Sequence, residues 1–314
     1  MRQQLLILLI GAVIAMSAGA DTKGLDFEAL LPKLQLASEI PPLEPFEARD
    51  GTPLWYRHYS SDSDRALILL HGSATDSKYL SSFARAIAES GAAAVYTPDI
   101  RGHGPSPATR GDIGYIEQLE DDLADLIAHV RTADDGLEQV VIGGHSSGGG
   151  LAVRFAGGEH GDLAAAYLLL APYLGHDAPT VRNNSGGWAD PNLFKIIPIS
   201  ILNGLGVTLF NDANALQFDM PSEYRDGSET LSYSYRLMTG FSPSDFRVGL
   251  GRVKVPLFLV AGSEDEALVA AEFEPTVRPL VPGADIRLIE GVSHLGLVMD
   301  DEAVAVVRKW LRTL

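Results

Sequence analysis

Cysteine is absent from all 314 residues. That excludes disulfides, thiolate metal sites, iron–sulfur clusters, a cysteine nucleophile and a lipid-modified cysteine. Positive charge is scarce. Lys and Arg number 24 against 41 Asp and Glu, a formal charge of −17. Such a surface repels phosphate backbones and gives no attraction to anionic headgroups, so nucleic acid is not an expected partner. Long hydrophobic runs are also missing beyond the first twenty residues, so no later segment reaches spanning length without charge, Pro or Gly. What remains is ordinary globular material, 46 % apolar and 21 % charged, enough for a sizeable core.

The N-terminus differs from the rest. Arg2 precedes an apolar run from Leu5 to Ala15, and Ala18-Gly19-Ala20 offers small residues in an A-x-A arrangement. This is the layout of a cleaved signal peptide over residues 1–20, which implies an exported protein, periplasmic or secreted. An uncleaved N-terminal anchor is the alternative.

Downstream, Phe46–Ala48 and Leu54–Tyr59 flank Asp50-Gly51 and predict a β-hairpin. Short apolar runs at 66–70, 92–96, 140–142, 165–170, 257–261 and 286–289 then alternate with helical periodicities, the last at 303–314. Alternation of this kind predicts an α/β fold, a mostly parallel sheet covered by helices on both faces. Leu119, Leu123, Leu126, Ile127 and Val130 mark one helix, whose Glu120, Asp121, Asp122 and Asp125 read as a solvated face and not as a metal site. The stretch 173–251 is far too long for a crossover and is expected to be an insertion with its own structure. The core then comprises residues 21–172 and 252–314.

Gly144-His145-Ser146-Ser147-Gly148 follows a predicted strand and opens a predicted helix. A serine on that sharp turn needs small residues two before and two after it, and Gly144 and Gly148 meet the need. Neither G-x-G-x-x-G nor a following Gly-Lys-Ser/Thr is present, which argues against a nucleotide loop. A serine hydroxyl needs a base. Of eight histidines, His294 lies just after the last strand, at the sheet edge where the elbow ends. A carboxylate must orient that imidazole. The loop after the fifth strand offers Glu264, Asp265 and Glu266, with Asp265 preferred and Glu264 in reserve. Two backbone N–H groups must meet the developing oxyanion. Ser147 supplies one, and Ser73, in Leu70-His71-Gly72-Ser73-Ala74, the other. His71 is read as a support of that loop.

These residues, with Asp99-Ile100-Arg101-Gly102-His103-Gly104-Pro105-Ser106, resemble the α/β-hydrolase superfamily, in the branch of monoacylglycerol lipases, lysophospholipases and serine-aminopeptidase-like hydrolases. The order Ser146, Asp265, His294 also matches. The resemblance implies an α/β-hydrolase fold with the 173–251 insertion as a cap. It places Arg101 and His103 in a structural turn. It implies a serine hydrolase acting on carboxylic esters or lipids, with no cofactor and no metal. Residues 193–210 carry a single charge, Lys195, among many Ile and Leu. Packing of the cap onto the core is their ordinary role. An acyl pocket or transient contact with a lipid surface is the functional alternative. Amide hydrolysis of the aminopeptidase type would need an acid for the substrate amine, and Asp219, Glu223 and Asp226 are candidates. A non-catalytic binding protein on this scaffold is the reading from a different class.

Overall fold

The computed structural model describes residues 24–30, 40–134 and 136–314. The signal-peptide expectation for residues 1–20 lies outside them. Eight strands form the main sheet: β1 (Glu44–Glu47), β2 (Pro53–Tyr59), β3 (Arg65–Leu70), β4 (Ala94–Asp99), β5 (Gln139–His145), β6 (Ala166–Leu170), β10 (Leu257–Gly262) and β11 (Asp285–Ile289). Their spatial order is β1-β2-β4-β3-β5-β6-β10-β11. The predicted hairpin is present, with Phe46 opposite Leu54. β2 runs antiparallel to β4, and every pairing from β4 to β11 is parallel.

Helices account for the strand composition. Because they cover the parallel strands, Leu67, Ile68 and Leu69 are all fully buried, and so are Leu168, Leu169 and Val260. Strands buried on both faces lose the in–out alternation and read as unbroken apolar runs. β5 sits between β3 and β6, so its C-terminal end opens onto the middle of the sheet edge.

The Gln118–Ala133 helix corrects one expectation. Glu120 and Asp122 are buried, not solvated. Glu120 accepts from Arg154 Nε at 2.6 Å, and Asp122 from Arg101 Nε at 2.7 Å. Burial of a carboxylate requires such a partner. Among the described residues no group of three or more His, Asp or Glu could hold a metal ion.

Between β6 and β10 the chain builds a second, antiparallel sheet in the order β7-β8-β9, from Ala189–Pro191, Asn214–Phe218 and Ser232–Ser234. The Leu193–Gly204 helix follows β7 and starts from the Asn192 cap. Packing accounts for only part of it: Ile199, with Ile196 beside it, meets Ala215 and Tyr235. Of its residues only Ile199 is buried, while Phe194 is 95 % exposed. Leu193, Ile197, Ile201, Leu205, Leu209 and Phe210 are exposed as well. Among the described residues no helix is long and apolar enough to cross a membrane.

Candidate active site

Ser146 occupies the turn between β5 and the Ser147–Gly157 helix, with φ 56° and ψ −120°. This is a costly conformation for a residue with a Cβ, and it persists only where surroundings impose it. Three backbone bonds do so: Ser146 N–H to Leu170 O (3.0 Å), and Gly150 N–H (3.1 Å) and Tyr173 N–H (2.9 Å) to Ser146 O. The two glycines have a direct steric cause. A Cβ on Gly144 would collide with the Gly148 carbonyl, and one on Gly148 with the carbonyls of Leu70 and His71. The helix begins immediately behind Ser146, with its positive dipole end toward the serine.

The loops after β10 and β11 are zipped together by main-chain bonds, Ser263 N–H to Ile289 O (2.8 Å) and Glu264 N–H to Val292 O (3.1 Å). That pairing brings Asp265 to His294. His294 Nδ1 donates to Asp265 Oδ2 at 2.7 Å, and both residues are 2 % exposed. The other carboxylate oxygen of Asp265 accepts from the N–H groups of Ala267 (2.9 Å) and Leu268 (2.7 Å). Glu264, the reserve, is exposed. Burial alone would depress the His294 pKa, but the charge and hydrogen bond of Asp265, with the charge of Glu266, hold it above the ordinary histidine value.

Ser146 and His294 line one narrow cavity, together with Gly72, Ser73, Tyr79 and Trp188. In the β3 loop the amides on either side of Ser73 are engaged. Gly72 N–H donates to Tyr79 Oη and Ala74 N–H to Tyr233 Oη, both at 2.8 Å. The Ser73 amide between them, like that of Ser147 next to Ser146, has no protein acceptor among the described residues. Trp188 Nε1 donates to Ser73 Oγ at 3.0 Å.

His71 supports the loop as expected. Its Nδ1–H donates to Gly72 O (2.8 Å), and its Nε2 accepts from Ile100 N–H (3.0 Å). Both nitrogens are occupied, and full burial of the ring lowers its pKa against the opposing hydrogen bond to Gly72 O. Arg101 is paired with Asp122 and Asp50. His103 Nε2 accepts from Tyr233 Oη at 2.5 Å, while its Nδ1 faces the carbonyls of Ile100 and Arg101.

Sequence reasoning missed the part played by five residues. Tyr79 Oη, which accepts from Gly72 N–H, donates to His145 Nδ1 at 2.8 Å, and His145 Nε2–H donates to His294 O at 3.1 Å. Glu266 reads as plain charge in sequence. Its carboxylate accepts from His294 N–H at 2.9 Å and from Asp26 N–H at 2.7 Å. Tyr233 enters from β9. Phe27 enters from the N-terminal segment, where its only signal was an apolar side chain among acids.

Residues 61–298 match the family described as serine aminopeptidase, S33. The chain belongs to that family of hydrolases. Its fold is the α/β-hydrolase fold, which the strand order and the solved relatives share. This S33-family chain is 24 % identical over 268 residues to a non-heme haloperoxidase of Rhodococcus erythropolis, covering 79 % of this chain and 91 % of the relative. It superposes on the monoacylglycerol lipase of Paleococcus ferrophilus with a TM-score of 0.62 at 18 % identity, covering 83 % of this chain and 99 % of the other. A soluble variant of monoglyceride lipase from Saccharomyces cerevisiae, solved with a substrate analogue, gives 0.63 at 16 %, covering 88 % and 96 %. At these identities the structural likeness speaks for the fold.

Proposed function

We propose that this S33-family hydrolase cleaves carboxylic esters with an apolar acyl part through Ser146, His294 and Asp265. One observation carries the reading: the buried 2.7 Å bond from His294 to Asp265, set beside a serine held at positive φ in the same cavity. In this mechanism His294 takes the Ser146 proton as Oγ attacks the ester carbonyl. The amides of Ser73 and Ser147 hold the oxyanion. His294 then protonates the leaving alcohol. Water, deprotonated by His294, releases the acid from the acyl-enzyme. Asp265 orients the imidazole and stabilises its charged form.

Amide hydrolysis of the aminopeptidase type has less support. Asp219, Glu223 and Asp226 are exposed, none lines the cavity, and Asp226 is paired with Lys78. Nor do Arg182, Arg225, Arg236 and Arg247 converge as an anion site. Arg182 bonds the carbonyls of Asp265 and Leu268, Arg225 that of Met220, Arg236 the Asp112 carboxylate, and Arg247 that of Asp177. We read 173–251 as a cap over the core whose exposed apolar helix meets uncharged lipid surfaces, and the N-terminal pattern as a signal for export.

The test is a fluorophosphonate probe followed by p-nitrophenyl esters and an aminoacyl nitroanilide. The expected result is labelling and ester hydrolysis, both lost in Ser146→Ala. Labelling that survives this substitution, or cleavage of the anilide alone, would sink the proposal.

A further inference from the structure

The family match begins at residue 61, yet part of the wall of the Ser146 cavity comes from ahead of it. Leu25 and Phe27 line the same space as Ser146, His294 and Trp188. They are built in, not draped. Gly24, at φ 65°, donates its N–H to Gly186 O at 3.2 Å. Asp26 N–H is held by Glu266 Oε1, and the other oxygen of that carboxylate holds the His294 amide. Phe27 is 5 % exposed. Its ring centroid lies 5.4 Å from that of Trp188 and 5.2 Å from that of Tyr224. The short helical turn Phe27–Leu30 rests on the turn Gly296–Met299, which directly follows His294. The segment is therefore fixed to Gly186, to Glu266 and to the turn after His294, and it lines the cavity with two apolar side chains.

We propose that Leu25 and Phe27 are specificity-determining residues that limit the substrate to esters of short acyl chains. The proposal rests on the ester-hydrolase reading above. The free space between these walls is small, about 10 Å³, room for roughly one water molecule. Its apolar boundary is formed by Leu25, Phe27, Trp188 and Leu295. A rigid aromatic wall rejects the additional methylenes of a long chain, because an overfilled pocket must displace packed side chains. Truncating the wall opens space, and the longer chain gains burial there that the acetyl group cannot use.

The experiment measures kcat/KM on p-nitrophenyl acetate, butyrate and octanoate for the full chain and for Phe27→Ala, Leu25→Ala and Leu25→Trp. Fluorophosphonate labelling and circular dichroism are recorded on each. The native chain is expected to prefer acetate or butyrate over octanoate. The octanoate-to-acetate ratio is expected to rise about tenfold in each alanine variant. In Leu25→Trp the butyrate-to-acetate ratio is expected to fall. Should Phe27→Ala fail to fold, the two Leu25 variants carry the test, since that side chain is only partly buried. A native preference for octanoate, or ratios unchanged in folded variants that still label, overturns this proposal alone. A native chain that neither labels nor hydrolyses any ester removes the ester-hydrolase reading, and this proposal with it.

Discussion

The His145 imidazole donates to the main-chain carbonyl of His294 across 3.1 Å, so the residue before the serine holds the backbone of the residue that faces it. Tyr79 fixes the other side of the same ring and the amide of Gly72. One hydrogen-bonded path thus joins the β3 loop, the elbow and the His294 loop. Removing it is predicted to loosen their spacing. His145→Phe should lower kcat on p-nitrophenyl esters by about 10- to 100-fold, since small misplacements carry such costs. KM should change far less. His145→Gln, which retains an N–H donor, should recover part of kcat. Steady-state kinetics with wild-type folding by circular dichroism would check this. An equal loss in both variants contradicts a positioning role.

A second prediction concerns pH and activity. In the proposed mechanism His294 must be neutral to accept the serine proton, and Asp265 and Glu266 raise its pKa. Hydrolysis should therefore fall as pH drops through a value above about 6.5, the ordinary histidine pKa. Glu266→Gln removes one of the raising charges, so its acid limb should move to lower pH. A pH–rate profile of kcat/KM for both proteins decides it.

A third prediction concerns pH and stability. Burial lowers the pKa values of His71, His103 and His145, the last two strongly. In the folded state these rings stay neutral, whereas unfolded they bind protons below about pH 6.5. The unfolded state then holds more protons, so stability rises with pH across this window. It is complete above about 6.5 and is lost as pH falls toward the folded values. Thermal melts between pH 8 and 5 should show Tm declining on the acid side, less steeply in His145→Gln if that variant remains folded.

The fourth prediction concerns the exposed apolar helix. Phe194 and Leu209 stand in a stretch whose only charge is Lys195, on a chain of charge −17. Exposed apolar area of this kind marks an interaction surface. The protein should float with zwitterionic vesicles and much less with anionic ones, which repel it. Phe194→Ser with Leu209→Ser should abolish flotation while a soluble short-chain ester is still turned over. Flotation independent of both side chains would refute the contact.

The sheet and the placement of Ser146, Asp265 and His294 were legible because they follow local rules. Buried parallel strands are continuous apolar runs, an elbow demands Gly144 and Gly148, and the loops that carry these three side chains follow strand ends. Glu120 and Asp122 were not legible, since their helix period alone does not reveal Arg154 and Arg101 waiting across the interface. Tyr233 and Ala74 are 159 residues apart, and Asp26 and Glu266 are 240 apart. No pattern within either segment encodes such a meeting. The exposed 193–204 helix misled for a related reason: composition reports that side chains are apolar, not which neighbours they find.

Tyr233 has a bearing on how such proteins diversify. The strand that carries it belongs to the 173–251 stretch, yet its hydroxyl holds Ala74, next to the amide of Ser73. Exchanging this stretch for that of a relative would remove the contact along with it. Here a transplant lacking a hydroxyl at this point would strand a main-chain donor in the core, so the graft and its host would have to be matched at that junction.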